Sequence, residues 1–359
     1  MALIRHFLRN DVLAAIKANI AQGVWKDSLP SERQLTEQFQ VSRGTLRYAL
    51  KNLQNEGIIK AVAGSGYLIT KQIPEARKPP TDISIGILIG SPLKNRSTRD
   101  LAWLPALQQR VAKRGWHIHI HEGIPEVQRS PKSGLNKLFK ATSHECWLLI
   151  RCNEEVQKIF RQTQTPAIIC GSPFADIDLP SIDINFEAIG RHAAGLLASK
   201  GHQRIGYVSG RNPFPGDEKL YKGFQEGILK SSTKPSVKRI RYSGPQYSYQ
   251  NTLKQVQQKE NPITAMFVDC PFQYINLSNQ ANQAGIHIPE DLSLVCRQEA
   301  DFLSFLNPIP SRYEFHTKEM ANKIHRDIEA RIQGDTMHGH RNLIMPEYFE
   351  GSSITSLSP

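Results

Sequence analysis

The 359-residue chain lacks the marks of several large protein classes. Its five cysteines (Cys146, Cys152, Cys170, Cys270 and Cys296) are odd in number and form no Cys-x-x-Cys pair. Neither a disulfide framework nor a structural zinc site is expected from them. Several stand in apolar runs such as Cys146–Ile150 and read as buried thiols in a reducing compartment. No run approaches 18 apolar residues, and the start Met-Ala-Leu-Ile-Arg-His has no basic segment leading into an apolar one. The expectation is a soluble, cytoplasmic protein with no membrane partner. No Ser-His-Asp, Walker or Gly-x-Ser-x-Gly pattern is present, so no catalytic residue, cofactor or metal is expected and the chain reads as a non-enzyme. Acidic residues are scarce too: Asp and Glu number 33 against 45 Lys and Arg, a net charge of +12. That imbalance favours a polyanionic partner.

The charge is unevenly placed. Residues 1–71 hold ten Lys and Arg against five acids, so one fifth of the chain carries +5 of the +12. Three helical patterns open this segment. Leu8, Val12, Ile16 and Ile20 recur every four positions and form one apolar stripe. Pro30-Ser-Glu-Arg-Gln34 is a helix start, in which Ser31 caps and Gln34 closes a capping box, with Leu35 and Phe39 facing inward. Ser42 caps a third helix whose buried face is Leu46, Ala49, Leu50 and Leu53 and whose end is marked by Gly57. On that helix Arg43, Arg47 and Lys51 are spaced i, i+4, i+8 and project along one edge away from the apolar face. Arg43, Gly44 and Thr45 occupy its first turn, where a recognition helix meets base edges. Arginine pairs bidentately with guanine, threonine reaches phosphate or a thymine methyl, and glycine allows close approach. Ile58–Val62 and Tyr67–Ile69 then read as two strands around a tight hairpin, Ala63-Gly-Ser-Gly66.

Leu29-Pro-Ser-Glu-Arg-Gln-Leu35, Val41-Ser-Arg-Gly-Thr-Leu-Arg47, Leu53-Gln-Asn-Glu-Gly-Ile58 and Gly64-Ser-Gly66, in that order, resemble the GntR-family winged helix-turn-helix over residues 8–70. The resemblance implies double-stranded operator DNA as partner, contacted by Arg33, Ser42, Arg43, Gly44, Thr45, Arg47, Gly64 and Gly66. Two positions depart from the pattern: Gly44 replaces a Thr-like residue, and Ser65 a frequent basic residue at the wing tip. A short recognition helix reads few base pairs alone, so a homodimer on a palindromic operator is expected.

Residues 72–82, polar and proline-bearing, read as an extended linker. Beyond it, strand-like runs at Ile83–Ile89, Trp116–His121, Cys146–Ile150, Ala167–Cys170, Arg204–Val208, Ala265–Val268 and Leu292–Cys296 alternate with helical segments such as 101–114, 186–200, 217–230, 272–284 and 317–332. Alternation of this kind implies an α/β fold, parallel sheets covered on both faces and a ligand site beyond the strand ends. About 270 residues suit two lobes. The expected division is 83–180 with 300–318, and 181–299 with 319–355. His117, His119 and His121 alternate along one strand and read as the polar face of a sheet edge, not as a zinc site.

Asp183-Ile-Asn-Phe-Glu-Ala-Ile-Gly190, Gly201-His-Gln-Arg-Ile-Gly-Tyr-Val-Ser-Gly210, Lys222-Gly-Phe224, Pro262–Phe267 and Ile288–Leu294 resemble the LacI-type effector domain, which is periplasmic-binding-protein-like. A GntR-type head on such a domain resembles the arabinose-repressor architecture. The resemblance implies a repressor whose DNA binding answers to a small molecule, in this family a sugar or sugar derivative. Position alone makes Ser91, Trp103, Arg151, Arg211, Phe272, Gln298 and Glu299 the candidate ligand contacts. The family's polar pocket residues are missing: Gly171, Leu220, Cys270 and Gln298 stand in their places. Loss of paired hydrogen bonds at those sites argues against a typical free sugar. Two readings therefore stay open, a regulator with an atypical effector and a DNA-binding protein whose large domain only dimerises. A sugar-binding or enzymatic module without a DNA role leaves residues 8–70 unexplained.

Overall fold

The computed structural model describes residues 12, 13, 15–17, 19–21, 23–39, 41–62, 66–71, 83–90, 101–211, 213–335 and 339–357. Leu8, Gly64, Ser65, the linker and Ser91 lie outside the described residues. The chain separates into two compact units, Met1–Thr81 and Asp82–Pro359.

In the small unit Val12, Ile16 and Ile20 are buried with Leu35, Leu46, Ala49, Leu50, Leu53, Ile58 and Ile59 in one apolar core. The helices Glu32–Phe39 and Arg43–Asn55 are closed by local bonds written in the sequence. The Ser31 backbone N–H donates to Gln34 Oε1 at 3.0 Å, while the Gln34 N–H donates to Ser31 Oγ at 3.3 Å, a reciprocal capping box. At the other end Gly57 takes φ +68°, its N–H reaches Gln54 O at 3.0 Å, and the Ile58 N–H reaches Leu53 O at 2.9 Å. This is a Schellman stop, with its apolar pair Ile58 and Leu53 buried. Strands β1 (Ile59–Val62) and β2 (Gly66–Ile69) pair antiparallel. Residues 27–29 add a further extended segment to β2, through Leu29 N–H to Tyr67 O at 2.8 Å and Ile69 N–H to Asp27 O at 2.9 Å. That segment carries no alternating pattern and was not foreseen.

The large unit contains two six-stranded sheets. The first lobe has the order β13-β7-β6-β5-β3-β4, formed by Arg341–Ile344, Ser181–Ile184, Ala167–Cys170, Cys146–Ile150, Ser84–Ile89 and His117–Glu122. The second has β14-β12-β11-β10-β8-β9, formed by Glu347–Phe349, Ser311–Glu314, Ser293–Cys296, Ala265–Val268, Arg204–Gly210 and Ser236–Tyr242. All neighbours run parallel except β12 and β14. The central strands are buried along their whole length and, apart from Ser293, carry apolar side chains or cysteine, as burial on both faces requires.

The sheets correct the expected division of the lobes. Residues 311–314 form β12 in the second sheet, so 300–318 does not join the first lobe. The helix Thr317–Ile332 instead packs on β5, β6, β7 and β13 of the first lobe and on the helix Leu104–Ala112. Arg110 Nε donates to Asn322 Oδ1 at 2.6 Å, and Arg114 Nη2 donates to Glu329 Oε1 at 2.6 Å across that contact. The chain therefore crosses between lobes three times: after β7, after β12, and between β13 and β14. Apolar periodicity says which face of a helix is buried but not against which sheet, hence the misassignment.

In the second lobe the helices Phe186–Ser199 and Pro215–Lys230 touch backbone to backbone. A Cβ on Gly190 would stand 2.2 Å from Leu220 O, and one on Gly223 2.2 Å from Glu187 O. Only glycine permits that approach.

Candidate functional site

Two regions carry the foreseen residues. In the small unit the helix Arg43–Asn55 buries Leu46, Ala49, Leu50 and Leu53 and exposes Arg43, Gly44, Arg47 and Lys51. Ser42 is its N-cap: Ser42 Oγ accepts from Thr45 N–H at 3.2 Å and lies 3.0 Å from Thr45 Oγ1. Arg33 is exposed on the preceding helix, with Nε donating to Glu37 Oε1 at 3.1 Å. Arg47 Nε donates to Glu32 Oε2 at 3.1 Å, and Tyr67 OH donates to Glu32 Oε1 at 3.1 Å. One carboxylate thus ties together the Ser-Glu-Arg helix, the basic edge and strand β2. Burial and the Glu32 carboxylate both hold the Tyr67 phenol above its ordinary pKa. Gly66 opens β2 at φ +80°, a conformation that glycine takes without strain. Sequence spacing found the arginines, while Glu32 and Tyr67 were missed because their partners lie 15 and 35 residues away.

The large unit has a cavity of about 140 Å³ between its lobes. Four of the foreseen residues line it: Trp103, Arg151, Gln298 and Glu299. Arg211 and Phe272 do not. Arg211 is exposed beyond β8, and Phe272 is exposed against Phe302, ring centroids 5.4 Å apart. Both follow strands of the second sheet without lining the cavity. Leu220, fully buried, is taken up by the glycine-lined helix crossing, and the same helix instead presents Gly216 and Asp217 to the cavity.

The polar lining is largely bonded to itself. Arg297 Nη1 donates to Asp217 Oδ1 at 2.6 Å, and Asp217 Oδ2 accepts from Phe214 N–H at 2.9 Å, closing the first turn of Pro215–Lys230. Asp183, at the end of β7, accepts from Ser172 Oγ and, at 2.8 Å, from the Ile184 N–H. Burial nonetheless pushes its carboxyl up to about 6, because the ionised form is deprived of water. Asp269, buried beside Arg297, is likewise pushed up to about 6 by burial. Aromatic faces supply the rest: the Arg151 guanidinium carbon lies 4.4 Å from the Phe214 ring centroid, and that of Arg297 5.5 Å from Phe186. The Trp103 indole N–H and Arg297 Nε are buried and have no hydrogen-bond partner among the described residues.

No group of three His, Cys, Asp or Glu side chains converges to hold a metal among the described residues. Nor is any described helix long and apolar enough to cross a membrane.

Known proteins resemble the two units separately. Residues 8–69 match the family described as bacterial regulatory proteins, gntR family, and residues 194–354 match the periplasmic binding protein-like domain. Catabolite control protein A of Staphylococcus aureus (strain MRSA252) is 24% identical over 194 residues, 54% of this chain and 58% of that protein. The HTH-type transcriptional repressor CytR of Escherichia coli (strain K12) is 24% identical over 154 residues, 42% of this chain and 45% of its own length. The chain thus spans about half the length of the curated relatives it matches. Among solved structures, a LacI family transcriptional regulator from Enterococcus faecalis V583 with bound ribose superposes with a TM-score of 0.63 at 16% identity, covering 77% of this chain and 100% of that one. A dimeric Lac repressor with a C-terminal deletion superposes with a TM-score of 0.63 at 15% identity over the same shares. The chain thus joins a segment that matches the gntR family to a two-lobed domain that matches the periplasmic binding protein-like family and shares the fold of the solved LacI-family structures.

Proposed function

We propose that this chain is a sequence-specific transcriptional regulator, acting as a repressor, that binds double-stranded operator DNA as a homodimer and answers to a small molecule held between its lobes. The observation that carries the reading is the exposed basic edge Arg43, Arg47 and Lys51 on a helix whose opposite face is sealed in the core. Arg43 meets base edges from the first turn, Arg47 is aimed by Glu32, and Arg33, Ser42, Gly44, Thr45 and the wing residues Gly64 and Gly66 complete the contact. A two-fold pair of such heads fits a palindromic site.

The cavity bounds the effector. Its volume, about 140 Å³, compares with an engineered protein cavity of about 150 Å³ that takes benzene. A single ring fits and a dinucleotide does not. Trp103, Phe186, Phe214 and Phe315 favour a flat face, with Arg151, Gln298 and Glu299 at its rim. The Enterococcus faecalis neighbour carries ribose; a sugar derivative with an apolar face suits this lining better than a bare polyol.

The test is selection of bound sequences from random DNA, followed by anisotropy titration of the selected operator. Arg43→Ala with Arg47→Ala should abolish discrimination between operator and random DNA, and specific binding that survives the double change would overturn the reading. Self-bonding of the lining through Arg297–Asp217 and Asp183–Ser172 favours a second reading, in which the large unit only dimerises. A thermal-shift panel of sugars, sugar phosphates and aromatic metabolites separates the two, since a ligand of the native state raises its melting temperature.

A further inference from the structure

We propose that the cavity between the lobes selects an uncharged, flat ring that carries ester- or ketone-type oxygens and no N–H or O–H of its own. This rests on the reading of the cavity as an effector site and narrows that reading to one class of ligand.

A volume of about 140 Å³ has room for one six-membered ring, and the aromatic side chains Trp103, Phe186, Phe214 and Phe315 line it. Three carboxyls, Asp183, Asp217 and Glu299, stand there against two guanidiniums, Arg151 and Arg297. A ligand anion would give up its water to join an excess of negative charge. A ligand cation would meet rings that the protein's own cations already use. The Arg151 guanidinium carbon is 4.4 Å from the Phe214 centroid, and that of Arg297 is 5.5 Å from Phe186. An uncharged ring meets neither obstacle.

The hydrogen-bond inventory of the walls is lopsided. Asp183 accepts from Ser172 Oγ and the Ile184 N–H, and Asp217 accepts from Arg297 Nη1 and the Phe214 N–H. Gln157 Oε1 accepts from the Phe174 N–H at 3.1 Å, while its Nε2 donates to Cys152 O at 3.3 Å. No buried acceptor of the lining is left without a partner among the described residues. Two buried donors are. Trp103, 1% exposed, has no acceptor for its indole N–H, and Arg297, whose Nη1 is spent on Asp217, has none for Nε. A ligand that brings acceptor oxygens relieves both, whereas each N–H or O–H it brings is a further donor in search of an acceptor. Trp103 stands at the start of the helix Leu104–Ala112 in the first lobe, and Arg297 follows β11 in the second. An ester has two acceptor oxygens and no donor, so one ring bonded to both residues ties the lobes together. A polyol, with as many donors as hydroxyls, suits these walls poorly.

The experiment titrates the full chain at neutral pH with single-ring probes, followed by ligand-observed saturation-transfer NMR. The probes are 2-pyrone (a ring ester), 2-pyridone (the same ring with N–H in place of the ring oxygen), 2-furoate (an anion), N-methylpyridinium (a cation) and ribose (a polyol). 2-Pyrone is expected to bind about fivefold or more tightly than each of the others. Trp103→Phe keeps the ring and removes the N–H, and Arg297→Lys keeps the charge and removes Nε. Each should weaken 2-pyrone about fivefold at unchanged melting temperature. The wild-type ratio of 2-pyrone to 2-pyridone reads the same preference with no substitution, should either variant fold poorly. Any of the other four probes binding as tightly as 2-pyrone, or 2-pyrone binding unchanged in both folded variants, would overturn the proposal and leave the effector reading standing. Absence of binding by all five overturns both.

Discussion

The two foreseen sites are built in opposite ways. The exposed basic edge comes from one helix and its cap, within Ser42–Lys51, and its side chains point outward from a core of their own. The cavity is assembled from segments spread between Trp103 and Met320, and two of its charged groups, Arg297 and Asp217, hold one another. A site made of consecutive helical turns can lose one member and keep its frame, whereas a site made of distant strand ends is only as well placed as the two sheets behind it. The first therefore tolerates substitution structurally and suffers functionally; the second suffers both.

The largest effect expected from this contrast is on DNA. Arg43→Ala with Arg47→Ala should cost about 4 kcal/mol, on the order of a thousandfold, in operator binding measured by anisotropy, at unchanged melting temperature. A fall in stability of similar size would break the contrast, since these residues would then be structural. Next, Gly223→Ala should destabilise the large unit by about 3 kcal/mol in denaturant unfolding, because the added methyl meets the Glu187 backbone. Binding of DNA by the head should persist. The third effect is a pH slope. Asp183 titrates at about 6 in the folded protein, above the range of an exposed carboxylate, so the fold binds its proton more tightly than the unfolded chain. Its favourable contribution is complete below about pH 4 and lost as pH rises through about 6. Unfolding free energies of Asp183→Asn and wild type should therefore converge at low pH, and above pH 6 the wild type should have lost about 2–3 kcal/mol relative to the variant. Smallest is Ser42→Ala, which removes the cap of the recognition helix and should cost about 1 kcal/mol of stability. A much larger loss of DNA affinity than that figure would sharpen the contrast by giving Ser42 a direct contact.

The sequence was legible in proportion to how local each feature is. Capping at Ser31 and Ser42, the stop at Gly57 and the split faces of Arg43–Asn55 depend on spacings of three to eight residues, and the structure has each of them. The central strands were legible because burial on both faces forces unbroken apolar runs. Strands such as Ser236–Tyr242, Ser311–Glu314 and Glu347–Phe349 were not, since they are short or edge-lying and mix charge with apolar side chains. Trp103, Arg151, Gln298 and Glu299, singled out by their place after strands or at helix starts, line the cavity, whereas Arg211 and Phe272, singled out by the same logic, do not. Asp183, Asp217 and Arg297 escaped notice because their partners come from other elements of the same lobe: Arg297 and Asp217 stand 80 residues apart in sequence, and Asp183 and Ser172 follow different strands.

The three crossings between lobes have a consequence for how the chain is made. Synthesis proceeds from the N-terminus, and domains tend to fold as their residues emerge. The head can close once its hairpin is out. The first lobe starts at Ile83 but receives its bordering strand, β13, only with Arg341–Ile344, after nearly all of the second lobe has been translated. Until then the open edge of β7 is exposed backbone of the kind that recruits stray strands. The chain acquires its small N-terminal unit early on the ribosome and the cavity of its large unit only at the end.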